Sequence, residues 1–150
     1  MAKLRHIAMQ VPDLEKAAAF YEKVFGMERV VRGDTPFGNA LMLSDGVINL
    51  ALLQFPPGAK GMLNTPDWAG LHHIGFVVDD AEETRKKIEA EGGVYWTTLP
   101  GGYEGLLAEE KFRDPNGLVF DVSEHGWATE KTGTVKAEAE AKAKAEKVTA

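Results

Sequence analysis

The sequence contains no cysteine, so it can have neither a disulfide framework nor a thiolate metal site nor a cysteine nucleophile. Any metal must then be held by histidine, carboxylate or amide groups. Cations are also few: 17 lysine and arginine residues stand against 23 aspartate and glutamate residues, and the net charge of −6 argues against a nucleic-acid surface. No stretch reaches the roughly 18 apolar residues of a membrane span, and the N-terminus has no apolar signal core. We therefore expect a cytoplasmic protein with neither nucleic-acid nor membrane partners.

What the sequence does contain is an internal repeat. The segment HIAMQVPDLEKAAAFYEKVFG (6–26) aligns with HIGFVVDDAEETRKKIEAEGG (73–93) at a constant offset of 67 residues. The matches include a histidine at the start of each copy and also the residues that start and stop a helix. Matches at such different structural points indicate a duplication.

Each copy has the pattern of one strand, one helix and three further strands. Asp13 and Asp80 are candidate helix N-caps, and a glycine ends each helical pattern. Short strand-like runs follow, separated by Asp45-Gly46 in the first copy and by Asn116-Gly117 in the second. The sequence thus predicts an α+β protein with two tandem βαβββ modules. We place the first module at 1–54, a Pro- and Gly-rich linker at 55–70, the second module at 71–127 and a tail at 128–150.

The tail differs from the modules in composition. Its segment KAEAEAKAKAEK (136–147) has alanine at alternate positions and offers no apolar stripe at helical spacing. We expect a solvated helical tail, in which residues beyond about Thr129 contribute little to the fold.

The segments RHIAMQVPDLEKAAAFYEKVFGM, LHHIGFVVDD and FRDPNGLVFDVSE resemble the vicinal oxygen chelate superfamily, which includes glyoxalase I, extradiol dioxygenases and bleomycin resistance proteins. The resemblance implies two βαβββ modules whose sheets curl around a cleft, often within a homodimer. In members that bind a divalent metal, the ligands come from the first and last strands of the modules.

Carried over to this sequence, the resemblance places first-strand ligands at His6 and His73 and a last-strand ligand at Asp121, where glutamate is usual. The repeat offset selects His73, and strand alternation then turns His72 to the other face, so replacing His72 should matter little. Two histidines and one carboxylate form a set associated with Fe(II), although Mn(II), Ni(II) and Zn(II) also fit. The implied partner is a small substrate chelated through two oxygens.

The fourth position, in the first module, stays open at this point. It falls on Asn49 by the local pattern, where glyoxalases usually carry glutamate, or on Gln54 by the strict repeat offset. The two have opposite strand parity, so only one should face the cleft. An amide in this place cannot act as a general base near neutral pH.

Three further residues are candidate catalytic or substrate-facing groups. Tyr103 and Glu104 lie in the glycine-rich stretch LPGGYEGLL, and His125 follows the last strand. Three functions follow from the resemblance. The first is a metal-dependent enzyme with dioxygenase-like or transferase-like chemistry, and the second is a glyoxalase-type lyase or isomerase with a base such as Glu104 or Glu124. The third is a metal-free protein that sequesters a drug or metabolite.

Overall fold

The computed structural model describes residues 1–35, 38–99 and 109–148, and it has the predicted α+β architecture. Two βαβββ units follow one another and a third helix ends the chain. The elements are β1 (Lys3–Gln10), α1 (Leu14–Phe25), β2 (Glu28–Thr35), β3 (Gly38–Ser44), β4 (Asn49–Gln54), β5 (Gly70–Val77), α2 (Ala81–Ala90), β6 (Val94–Leu99), β7 (Glu109–Arg113), β8 (Val119–Ser123) and α3 (Gly133–Val148). Within these described ranges, no helix is both long and apolar enough to cross a membrane.

All eight strands belong to one mixed sheet with the order β2-β3-β4-β1-β5-β8-β7-β6. The two units meet at its centre, where β1 and β5 pair antiparallel. Within each unit the first strand pairs parallel with the last, β1 with β4 and β5 with β8. The sheet therefore has an approximate twofold relation between its halves, with β2 and β6 at its edges.

The helices of the two modules, α1 and α2, begin where the sequence predicts, and α1 also ends at its predicted glycine, whereas α2 is capped by Glu91 just before its glycine pair. The Asp13 carboxylate accepts a hydrogen bond from the Lys16 amide, and the Asp80 carboxylate accepts one from the Glu83 amide. Helix α1 ends at Gly26, whose φ of 69° lies in the left-handed region that glycine adopts without strain.

The period of two along the strands gives the sheet two different faces. One face packs against α1, with a core cluster formed by Val11, Leu14, Ala18, Leu41, Leu43, Leu50 and Leu52. A second cluster on this face, Val78, Phe112 and Val122, packs against Ala81 and Ile88 of α2. The opposite face carries the polar side chains His6 and Gln10, both buried. This polar face is where the candidate site lies.

The start of the C-terminal tail is part of the fold, which corrects our expectation that residues beyond Thr129 add little. The Thr132 amide donates a 2.8 Å hydrogen bond to the Val30 carbonyl of β2. Val135, in the first turn of α3, is 7% exposed. Residues 140–147 are exposed, as a solvated tail would be.

Ending the chain after Ala128 should lower the free energy of unfolding by about 2 kcal/mol, because it removes one backbone hydrogen bond and the burial of one valine. Ending it after Glu140 removes mainly exposed residues and should cost much less. Urea unfolding of the two truncated proteins beside the full chain measures both effects. Equal stability of all three would mean that the contacts at Thr132 and Val135 carry no free energy.

Candidate metal centre

The candidate site is built on a row of five residues that crosses the middle of the sheet. Asn49 of β4 pairs with His6 of β1, and His6 pairs with Gly75 of β5. Gly75 pairs with Asp121 of β8, which in turn pairs with Lys111 of β7. Because paired residues share a face, all four side chains of this row lie on the same face of the sheet.

His73 precedes Gly75 by two residues and joins this row from the same face. Its Nε2 atom lies 3.1 Å from His6 Nε2 and 3.0 Å from Asp121 Oδ2. One ligand atom from each of these three residues lies within 4.8 Å of the others. The exposed fractions of His6, His73 and Asp121 are only 2%, 5% and 0%. The structure therefore brings together the three predicted ligands in a buried group that could hold a metal.

Asn49 supports this group from beside His6. Its Oδ1 accepts a 2.9 Å hydrogen bond from His6 Nδ1, while its Nδ2 donates to the Ala128 carbonyl at 2.7 Å. Since Nδ1 carries the proton of a neutral His6 ring, the Nε2 atom is left with a free lone pair aimed at His73. Asn49 thus orients the imidazole ring of His6, one of the three candidate ligands.

The strand register also shows which first-module residue corresponds to Asp121. In the second module, Asp121 pairs with Gly75, which follows His73 by two positions. In the first module, Ala8 follows His6 by two positions and pairs with Ala51. The equivalent position by register is therefore Ala51. Of the two sequence-based alternatives, only Asn49 lies on the face of His6, in agreement with their opposite strand parity. Gln54 instead donates to the Pro12 carbonyl. A methyl group at this position can neither bind a metal nor accept a proton.

Lys111 and Glu109 complete the group, and sequence reasoning missed both. Lys111 Nζ lies 2.6 Å from Asp121 Oδ2 and 3.0 Å from Glu109 Oε1, and its side chain is 7% exposed. Counting back from the Asn116-Gly117 turn pairs Lys111 with Asp121 across a hairpin, so the signal was present in the sequence.

Trp127 closes one side of the group from the chain that follows β8. Its indole ring stacks on the His6 ring, with 4.6 Å between the ring centroids and 11° between the ring planes. The indole Nε1 donates a 2.7 Å hydrogen bond to Glu109 Oε2. The space it fills depends on Gly75, because a Cβ there would lie 2.6 Å from the Trp127 ring and 2.9 Å from His6 Cβ. Glycine is the residue that lets the indole lie against the sheet.

Burial sets the charges in this group. It lowers the pKa of His6 to about 4, and it lowers the pKa of His73 well below its ordinary value, with the Lys111 ammonium as the second cause. Both rings are therefore neutral near pH 7, and His73 makes no ion pair with Asp121. Burial also opposes the charge of Lys111, but Asp121 and Glu109 outweigh it and raise the pKa of Lys111.

The donor set fits a divalent cation. Among the described residues, Asp121 Oδ1 is buried without a hydrogen-bond partner, while Oδ2 is held by Lys111. A buried carboxylate oxygen without a partner is costly, and a cation beside it would remove that cost. Two neutral imidazoles and one carboxylate are also a donor set that Fe(II), Mn(II), Ni(II) and Zn(II) accept.

The structure corrects the expectation for His72. Its exposed fraction is 6%, and its ring lies against His73, with 2.7 Å between the two Nδ1 atoms. The strand pairing explains this, because Ala8 pairs with His73 and Met9 pairs with Leu71, which leaves His72 as an extra residue in a β-bulge. A bulge interrupts the alternation of side chains that the prediction assumed.

Two other sequence candidates, His125 and Glu124, do not join the group. His125 is exposed in the turn after β8, where its amide donates to Ser123 Oγ. Glu124 is exposed, and its carboxylate accepts from the Ala81 amide at the start of α2. Tyr103 and Glu104 lie outside the described residues. Their proposed catalytic roles stay predictions.

Paired βαβββ modules around a His-His-carboxylate group define a class of protein, and comparison with known proteins gives the family. A profile described as "Glyoxalase/Bleomycin resistance protein/Dioxygenase superfamily" matches residues 3–122. The chain belongs to this superfamily, as the sequence predicts.

Relatives within the superfamily carry several activities. The chain is 30% identical over 123 residues to a manganese-dependent 2,3-dihydroxybiphenyl 1,2-dioxygenase from Geobacillus genomosp. 3, covering 81% of this chain and 36% of the relative. It is 28% identical over 133 residues to a probable chloroplastic lactoylglutathione lyase from Arabidopsis thaliana, covering 83% and 36%. The chain thus spans about a third of the length of these two relatives.

Solved structures show the same fold. A methylmalonyl-CoA epimerase in complex with methylmalonyl-CoA and NH4+ matches with a TM-score of 0.65 and 20% identity, covering 87% of this chain and 99% of that one. At this identity the likeness concerns the fold alone.

The stability of the metal-free protein should fall as the pH is lowered from about 6.5 to about 4. Because the folded-state pKa of His6 is about 4 and the ordinary value is 6.5, the unfolded chain takes up a proton in this range that the folded chain does not. For His6 alone the loss at pH 5 is roughly 2 kcal/mol, and His73 adds to it. Urea unfolding with a chelator present, at about pH 7.5 and about pH 5, measures the loss.

The control is His6→Asn, which removes the titrating ring while keeping a polar side chain that can reach Asn49. This variant should show a shallower decline between the two pH values. A decline as steep as that of the unaltered protein would assign the pH dependence to other groups.

Proposed function

We propose that this protein is a divalent-metal-dependent enzyme that holds a small substrate through two oxygens, with dioxygenase-like or transferase-like chemistry. The observation that carries the proposal is the buried convergence of His6 Nε2, His73 Nε2 and Asp121, with Asn49 turning the His6 lone pair inward. A sequestering protein of the bleomycin-resistance type would have no need for such a group.

In this proposal His6, His73 and Asp121 hold the metal. A divalent cation bound by two neutral ligands and one carboxylate keeps a net positive charge, which polarises a carbonyl or stabilises an enolate or catecholate oxygen. Lys111 keeps the Asp121 carboxylate in place through Oδ2. Stacking of Trp127 on His6 excludes water from one side of the ring, which keeps the histidine neutral and available.

Ala51 is the reason for preferring dioxygenase-like or transferase-like chemistry over a glyoxalase-type lyase or isomerase. Glyoxalases usually carry a carboxylate in the last strand of the first module, and here the equivalent residue is an alanine in an apolar cluster with Val30, Val31 and Met42. A lyase or isomerase would need another base, and Glu124 is engaged at the start of α2. The similarity to a manganese-dependent dioxygenase supports the same choice.

The proposed partners are a small-molecule substrate and a second copy of the chain. The superfamily relationship favours a homodimer, and the sheet has edge strands, β2 and β6, that a partner could cover. A single monomeric mass in light scattering over a wide concentration range would contradict the dimer.

Purified protein stripped with a chelator should bind one divalent cation. His6→Ala and His73→Ala should each abolish stoichiometric binding, because each removes one of three ligands that converge from separate strands. Asp121→Asn should weaken binding strongly, since an amide oxygen carries no charge. Calorimetric titration with Fe(II), Mn(II), Ni(II) and Zn(II) measures these effects.

His125→Ala is the matched control, because it removes an exposed histidine ring and should leave the affinity unchanged. If the unaltered protein binds none of the four metals, the enzyme proposal is wrong and a metal-free binding function takes its place. Loss of binding in the His125 variant alone would show that the metal lies elsewhere.

The metal-loaded protein should consume dioxygen in the presence of a catechol. The expected product is the ring-opened acid, since both oxygen atoms of O2 enter the substrate in such a reaction. An oxygen electrode and the absorbance of the product measure the turnover. Turnover of a glutathione hemithioacetal without oxygen uptake would instead support the lyase.

A further inference from the structure

His72 lies between the linker and the candidate ligand His73. Its Nε2 is 2.7 Å from the carbonyl oxygen of Gly61, and its Nδ1 is 2.7 Å from His73 Nδ1. The Phe55 ring stacks on the other side of the imidazole at 5.5 Å. The bulge in β5 places His72 and His73 side by side, so these contacts form a continuous path from the linker to the ligand.

Hydrogen-bond accounting fixes the protons along this path. A carbonyl oxygen only accepts, so His72 Nε2 must carry the hydrogen that Gly61 receives. At about pH 8, above the ordinary imidazole pKa of about 6.5, the ring has a single N–H, and His72 Nδ1 is therefore an acceptor. With His72 Nδ1 as the acceptor, the 2.7 Å contact between the two Nδ1 atoms is a hydrogen bond only when His73 Nδ1 carries the hydrogen.

We infer that His72 is a positioning residue that sets the tautomer of His73. With its proton on Nδ1, His73 presents a bare Nε2 to His6 and Asp121, as a metal ligand must. The Gly61 carbonyl in the linker accepts a hydrogen from His72 Nε2, which leaves His72 Nδ1 as the acceptor for the Nδ1 hydrogen of His73. The inference deepens the proposed function and rests on it where metal binding is concerned.

The two histidine ligands reach the same state by independent routes. Asn49 Oδ1 takes the Nδ1 proton of His6, and His72 Nδ1 takes that of His73. Both Nε2 atoms are then unprotonated although they lie 3.1 Å apart, with a carboxylate oxygen 3.0 Å from one of them. Three acceptors that face one another without a hydrogen repel, and a cation between them turns this repulsion into attraction.

Two substitutions separate the acceptor of His72 from its donor. In His72→Asn the amide oxygen lies close to the position of Nδ1, so it can still accept from His73 while the bond to Gly61 is lost. In His72→Gln the longer amide reaches the position of Nε2 and can donate to Gly61, but no acceptor remains beside His73. Both variants replace a buried ring by a smaller amide, which makes them matched in their effect on packing.

The first measurement is the tautomer of His73 in the metal-free protein at about pH 8. Long-range proton–nitrogen correlation NMR distinguishes a protonated Nδ1 from a protonated Nε2. We expect the Nδ1–H form in the unaltered protein and in His72→Asn, and a large population of the Nε2–H form in His72→Gln. A protonated Nε2 on His73 in the unaltered protein would overturn the inference without any variant.

The second measurement is the dissociation constant for Zn(II). We expect His72→Gln to bind roughly 10- to 100-fold more weakly than the unaltered protein and His72→Asn to stay within a few-fold of it. Equal losses in the two variants would mean that His72 acts only through packing, which overturns the inference. If the tautomers behave as expected but the unaltered protein binds no Zn(II), the positioning role stands and the proposed function falls.

Discussion

The antiparallel pairing of β1 with β5 is the constraint on which the site depends. This pairing places Gly75 opposite His6. Strand β4, the parallel partner of β1, then adds Asn49 to the row, and β8, the parallel partner of β5, adds Asp121. A slip of one residue at this single junction would turn every second-module side chain of the group to the helix-covered face. The hydrophobic clusters under α1 and α2 oppose such a slip, so the apolar cores fix the geometry of the polar site.

Burial of the group then decides its chemistry. Burying a neutral histidine costs little free energy, whereas burying the charged Asp121 carboxylate requires a partner of opposite charge. The Lys111 ammonium is that partner. Lys111 engages only one carboxylate oxygen, and the other is left for a cation. The ion pair therefore holds the carboxylate in place through one oxygen, and Asp121 and Glu109 together raise the pKa of Lys111.

The parts of this site that follow local periodicity could be predicted from sequence, and those that depend on a change of register could not. The family resemblance implied His6, His73 and Asp121 as ligands, with the repeat offset selecting His73, and the structure brings these three residues together. Alternation failed at His72, because a bulge in β5 depends on pairing with β1. Trp127 was also unpredictable, since it reaches His6 from a segment beyond the last strand through a space that exists only because residue 75 lacks a side chain.

The two modules contribute unequally to the group of candidate ligands. Each module supplies one histidine from its first strand, but only the second supplies a carboxylate, because Ala51 stands in the equivalent place of the first. Neither module alone offers more than two ligands, so a metal bound here would join the two halves of the chain and stabilise their interface.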